Sequence, residues 1–120
     1  MSKKEDTKRE EARKILKNGI LCMSVERLIH LSHYGLMGNV ILSSENISVE
    51  NVFNRIEYDE ENSIIMFTHK ELQSRYGEIS FSVDAISEIS GCEDEENPDE
   101  YLNVIIKLND GMNININILY

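Results

Sequence analysis

The chain has 120 residues, 41% of them hydrophobic, and a formal net charge of −10. That length holds one domain with a modest core rather than two domains, and that apolar share excludes a disordered polyanion. A body this acidic repels phosphate backbones and anionic membranes at ordinary salt, which disfavours direct nucleic-acid binding by the body and leaves only the N-terminal segment to attempt it.

The charge is unevenly placed. Residues 1–20 carry seven bases and four acids, whereas the rest of the chain carries five bases and 18 acids. The longest unbroken apolar runs, Ile20–Met23 and Ile64–Phe67, are four residues each, far short of the roughly 20 that a membrane span needs. The opening MSKKEDTKREEARK lacks the apolar centre of a secretory signal. Cys22 and Cys92 follow no paired spacing. A cytoplasmic location with free thiols is the expectation.

In chain order, Ser2 to about Lys17 is rich in strong helix formers. Glu10 and Lys14 are placed for an i,i+4 ion pair, and Asn18-Gly19 reads as the stop. Ala12, Ile15 and Leu16 give this basic helix a short apolar stripe, and its first residues have nothing to bury. Ser24 is placed to cap a second helix running to about Tyr34, with Val25, Leu28, Ile29 and Leu31 at helical spacing and Gly35 as the stop. Periodicity leaves Ile20–Met23 open between helix and short strand.

From Gly38 the period becomes two. Val40–Leu42 reads as a short strand closed by the polar Ser43–Asn46. Val52–Tyr58 and Ser63–His69 flank the polar stretch Asp59–Asn62, which predicts a hairpin with a four- or five-residue loop. Ile79, Phe81 and Val83 alternate with Glu78, Ser80 and Ser82 as a half-buried strand, and Ile86 and Ile89 read as a short connection. Gly91 to Glu100, crowded with acids and holding the only proline, reads as a surface loop.

The last hairpin is the most constrained. A two-residue loop at Asp110-Gly111 would set each apolar residue against an asparagine. A three-residue loop, Asn109-Asp110-Gly111, instead pairs Leu108 with Met112, Ile106 with Ile114, Val104 with Ile116 and Leu102 with Ile118. A one-residue slip turns every side chain over, so the buried face selects the three-residue loop, with Gly111 left-handed as a G1 bulge. Asn113, Asn115 and Asn117 then share the opposite, solvent-facing side.

These elements predict an α+β domain: one or two N-terminal helices packed on an antiparallel sheet or small open barrel of about five or six strands. The expected core is Leu28, Ile29, Ile56, Ile65, Phe67, Ile79, Phe81, Val83, Val104, Ile106, Ile114, Ile116 and Ile118.

No motif identifies a reaction: the chain lacks a GxSxG elbow, a P-loop, GxGxxG and HExxH. Glu57 or Glu78 with His69 would be an acid–base pair of the kind that many carboxylates produce by chance. His30 and His33 lie three apart and share a face with Cys22 shortly before them, but the spacing matches no zinc pattern. The acidic loop lacks the alternating ligands and central glycine of an EF-hand. The expectation is therefore a non-enzymatic protein with no metal and no cofactor.

The positive feature is the distribution of acids. Glu57, Asp59, Glu60 and Glu61 crowd one hairpin end, and Glu93, Asp94, Glu95, Glu96, Asp99 and Glu100 crowd another loop. On one side of the molecule they would form an extended negative surface able to occupy a groove built for phosphate. The plainer reading is that the acids keep the domain soluble and monomeric.

The whole-chain character, with an acidic body, a lysine-rich first helix, a short β-meander and no catalytic motif, resembles the small inhibitors of phages and mobile elements, among them anti-CRISPR proteins and DNA-mimicking inhibitors of restriction systems. The resemblance implies a stoichiometric inhibitor that blocks a nucleic-acid-binding protein such as a CRISPR nuclease. It rests on no motif, and the basic first helix departs from a pure mimic. The other reading is a self-associating accessory or regulatory domain, a homo-oligomer built through a sheet edge or the N-terminal helix.

Overall fold

The computed structural model describes residues 3–71 and 74–119. Two helices, α1 (Lys3–Leu21) and α2 (Val25–His30), precede eight strands: β1 (Met37–Ser43), β2 (Ser48–Phe53), β3 (Arg55–Asp59), β4 (Ile64–Glu71), β5 (Ser74–Ser82), β6 (Ile86–Glu93), β7 (Tyr101–Leu108) and β8 (Asn113–Leu119). The strands form a large antiparallel sheet in the order β2-β1-β8-β7-β6 and a small one in the order β3-β4-β5. The fold is α+β and not a closed barrel. The single sheet expected from the sequence is two sheets, because the chain changes sheet at Asn54 and again at the 3-10 turn Val83–Ala85.

Asn54 explains the first change. Val52–Tyr58 reads as one strand, yet its backbone is pinned to two neighbours. The Asn54 side chain accepts from the Lys70 backbone N–H at 2.9 Å and donates to the Lys70 carbonyl at 2.6 Å. The Asn54 N–H also donates to the Thr68 carbonyl at 3.0 Å. An amide that copies a backbone donor–acceptor pair in this way ends one ladder and begins another. β2 therefore closes the edge of the large sheet while β3 starts the small one.

The helices depart from expectation at their ends. α1 runs on through Asn18 and Gly19 to Leu21 because Ile20 is buried against the large sheet. A Cβ on Gly91 of β6 would overlap the Ile20 carbonyl, so the helix seats directly on strand backbone there. Ser24 caps α2 as expected, accepting from the Arg27 N–H at 3.3 Å. α2 stops at His30, and Leu31–His33 tightens into a 3-10 turn that buries Leu31.

Two stretches outside the expected strands are strands. Ser48–Asn51 extends β2, and Ile86–Glu93 is β6, whose register shifts between Ile86 and Glu88 and so blurs its alternation. The surface loop is correspondingly shorter, beginning at Asp94. The last hairpin has the expected pairing, Leu102 with Ile118, Val104 with Ile116 and Ile106 with Ile114. Its loop holds Gly111 at φ 90°, and the Leu108 N–H donates to the Met112 carbonyl at 2.9 Å.

The core lies between the inner face of the large sheet and a cover made of α1, the α2 turn and the small sheet. Phe53 of β2 meets Phe67 of β4 edge-on at 5.2 Å between centroids, and Phe67 stacks on Phe81 of β5 at 6.0 Å. This row of rings joins the two sheets. The expected core residues are all buried except Ile29, which is half-buried and packs against the edge of the core. Ile20, Leu31, Leu36, Val40, Phe53, Leu102 and Leu108 complete the core.

Candidate functional site

The cross-strand pairs of the large sheet decide what its other face shows. Met37, Asn39 and Ile41 of β1 lie beside Leu119, Asn117 and Asn115 of β8, which lie beside Tyr101, Asn103 and Ile105 of β7. Paired residues point the same way, so this outer face is a mixture of amides and aliphatic groups. No described element covers it. Met37 is 50% exposed, Ile105 45% and Val52 of the edge strand 61%. Asn39 donates to the Glu50 carboxylate across the β1–β2 pair. The side-chain carbonyls of Asn103 and Asn115 are buried without a hydrogen-bond partner among the described residues.

At one end the outer face dips into a groove of about 600 Å³, lined by Met37, Val52, Phe53, Tyr101 and Leu119 with Asn39, Asn54, Asn117 and His69, and walled by Asp94 and Asn97 of the β6–β7 loop. The loop is held in place by Asp94. Its carboxylate accepts from the backbone N–H groups of Glu96 at 3.2 Å and Asn97 at 2.9 Å, and from the Asn103 amide at 3.2 Å. An aspartate that ties its own loop and reaches a neighbouring strand fixes the loop against the sheet.

The ten acids singled out in the sequence separate into two groups. Asn54 and His69 share the groove with Asp94 and Asn97, so the β6–β7 loop lies where β3 begins and β4 ends. The Asp59–Ser63 turn joins the other ends of those strands, about 16 Å of extended chain away. The two clusters thus sit at opposite ends of the small sheet.

Within each cluster the carboxylates differ in what they touch. Glu57 accepts from Arg55 Nε at 2.9 Å and Lys70 Nζ at 3.3 Å, so its charge is offset locally. Asp59 accepts from the Asn62 amide at 2.8 Å and from the backbone N–H groups of Glu61 and Asn62. Those bonds, the Asn62 side chain first, hold its carboxyl below the usual carboxylate range. Glu93 pairs with Lys17 of α1 at 2.7 Å, which places the basic helix on the body and takes Glu93 out of the negative surface. Glu95, Glu96, Asp99 and Glu100 are exposed and have no side-chain partner among the described residues, as do Glu60 and Glu61 in the other turn.

The remaining candidates do not assemble. The β4 register puts His69 on the face opposite Glu57 and Glu78. His30 makes ring contacts with His33 at 5.3 Å and Tyr34 at 5.7 Å. Among the described residues no group of three His, Cys, Asp or Glu side chains is arranged to hold a metal ion, and Cys22 and Cys92 are free. No described helix is long and apolar enough to cross a membrane.

The groove escaped sequence reasoning because its parts come from β1, β2, Asn54 between β2 and β3, the end of β4, the β6–β7 loop, the start of β7 and β8. The asparagines alternating along β8 were the only local signal of an unusual outer face. No protein-family model, no curated protein and no solved structure matches this chain.

Proposed function

We propose that this domain acts by binding another protein rather than by catalysis, and that its contact surface is the acidic β6–β7 loop together with the open end of the large sheet beside it. The observation that carries this reading is the pairing of four unneutralised carboxylates, Glu95, Glu96, Asp99 and Glu100, with an adjacent exposed patch of Met37, Val52 and Leu119. A protein interface combines an apolar centre with a charged rim that steers the encounter. A negative rim selects a basic partner. The partner class that follows from the resemblance above is a nucleic-acid-binding protein, such as a CRISPR nuclease, which the domain would block stoichiometrically.

The test is capture of purified nucleic-acid-binding nucleases by the immobilised domain, at low and high salt, beside a variant carrying Glu95→Gln, Glu96→Gln, Asp99→Asn and Glu100→Gln. The reading expects a stoichiometric complex that loses nucleic-acid binding and is abolished by high salt and by the variant. A complex that forms equally well with the variant contradicts it.

Self-association through the β2 edge is a second reading, favoured by the exposed Ile47, Val49 and Val52 on or beside that edge strand. It predicts a mass that rises with concentration and is indifferent to the four loop substitutions. A strictly monomeric protein contradicts it.

A further inference from the structure

The groove beside the loop has a chemistry narrower than a generic interface. Its floor is aliphatic, with Met37, Val52 and Leu119 left 50%, 61% and 37% exposed. At one side stand the Tyr101 ring and the Asp94 carboxylate. Beyond Asp94 the loop continues into Glu95, Glu96, Asp99 and Glu100, and Lys17 of α1 is engaged with Glu93. A long aliphatic stem would cover the floor while its cationic head met the carboxylate end and the ring face. Asn39 and Asn117 also line the groove, and an asparagine carbonyl can accept from a group that only donates.

We propose that this groove receives an arginine side chain presented by an extended segment of the partner protein. Arginine fits better than lysine because its planar head donates in several directions at once and stacks on an aromatic ring, whereas an ammonium acts as a single hydrated charge. An apolar side chain would fill the floor and leave the carboxylate wall unused. A second copy of this chain offers a less complementary occupant, since its body carries the same negative charge. The inference rests on the proposed reading of the β6–β7 loop as a docking surface, and it names what that surface grips.

The experiment is an NMR titration of the full chain with a capped Gly/Ser nonapeptide carrying one central arginine. Matched peptides carry lysine or norleucine instead. The expected result is saturable shifts concentrated at the Met37 and Val52 methyl groups and the Asn117 amide. Replacing arginine by norleucine weakens binding about tenfold, a loss of about 1.4 kcal/mol. Val52→Lys, an exposed edge position that leaves the fold intact, should weaken the arginine peptide by about the same factor.

Shifts confined to residues 94–100, with Val52→Lys binding as well as the native chain, would overturn the groove assignment and leave the acidic-loop reading standing. A chain whose groove methyl groups are already buried in a dimer before peptide is added would give the groove to a second copy and overturn the assignment too. If the four-site loop variant binds the nuclease unchanged while the groove shifts and the norleucine discrimination persist, the acidic-loop reading falls and the arginine site remains.

Discussion

On the inner face of the large sheet, Val40, Val104, Ile106, Ile114, Ile116 and Ile118 are buried beneath α1, the α2 turn and the small sheet. On the outer face of the same strands, Asn39, Ile41, Ile105, Asn115 and Asn117 alternate with them in sequence and stay half-buried or exposed. The buried positions of the inner face are all apolar, as close packing requires. The outer face mixes aliphatic side chains with amides whose carbonyls at Asn103 and Asn115 lack partners among the described residues, an arrangement that costs stability. One face therefore holds the protein together, and the other is held open by it.

The largest test of that division compares neighbouring isoleucines. Ile116→Ala opens a cavity in a fully buried position and should cost about 3–4 kcal/mol. Ile105→Ala, on the outer face, should stay within about 0.5 kcal/mol. Urea unfolding of the two variants reads the difference directly, and similar losses would mean that the outer face is packed against something in solution. Next in size is Gly91→Ala, whose methyl would collide with the Ile20 carbonyl and lift α1 from the inner face. It should cost about 2 kcal/mol and speed amide exchange across the C-terminal turns of α1 before the β7–β8 hairpin.

Asn115→Val sharpens the comparison from the other side. Asn115 sits between Ile41 and Ile105 in the pairing, and a β-branched residue there removes an unpartnered buried carbonyl. The variant should be about 1 kcal/mol more stable, as measured by the unfolding midpoint. A loss of stability would show that the amide is satisfied in solution.

The smallest effect expected is at the far turn. The Asp59 carboxyl is lowered below its ordinary value of 3.8 by the Asn62 side chain and then by backbone N–H groups. A carboxyl depressed in the folded state adds stability above the unfolded value, and that contribution is lost as pH falls through the folded one. Acid unfolding should therefore show a small Asp59-dependent step below pH 3.8 that Asp59→Asn removes.

How far this division could be read in the sequence depended on how local its causes were. The β7–β8 hairpin was legible to the residue because both strands alternate strictly and Gly111 admits only one loop consistent with a buried face. β6 reads as a connection because its register shift and Gly91 break the alternation, and Gly91 is explained only by the helix above it. The break between β2 and β3 was hidden because Asn54 acts on Lys70 and Thr68, which are remote in sequence. The acids were visible as clusters. That Lys17 engages Glu93, that Arg55 and Lys70 hold Glu57, and that Asp59 and Asp94 tie their own turns all depend on tertiary neighbours. The groove exists only where separate strand ends and one loop meet.

The measurement that bears most directly on the central claim is a hydrogen-exchange footprint of the domain with and without a captured nucleic-acid-binding partner. The account predicts new protection over residues 94–101 and at the adjoining ends of β1 and β8, with the rest of the domain unchanged. Protection confined to α1 or to the turn at residues 59–63, with the β6–β7 loop exchanging as in the free protein, would contradict it.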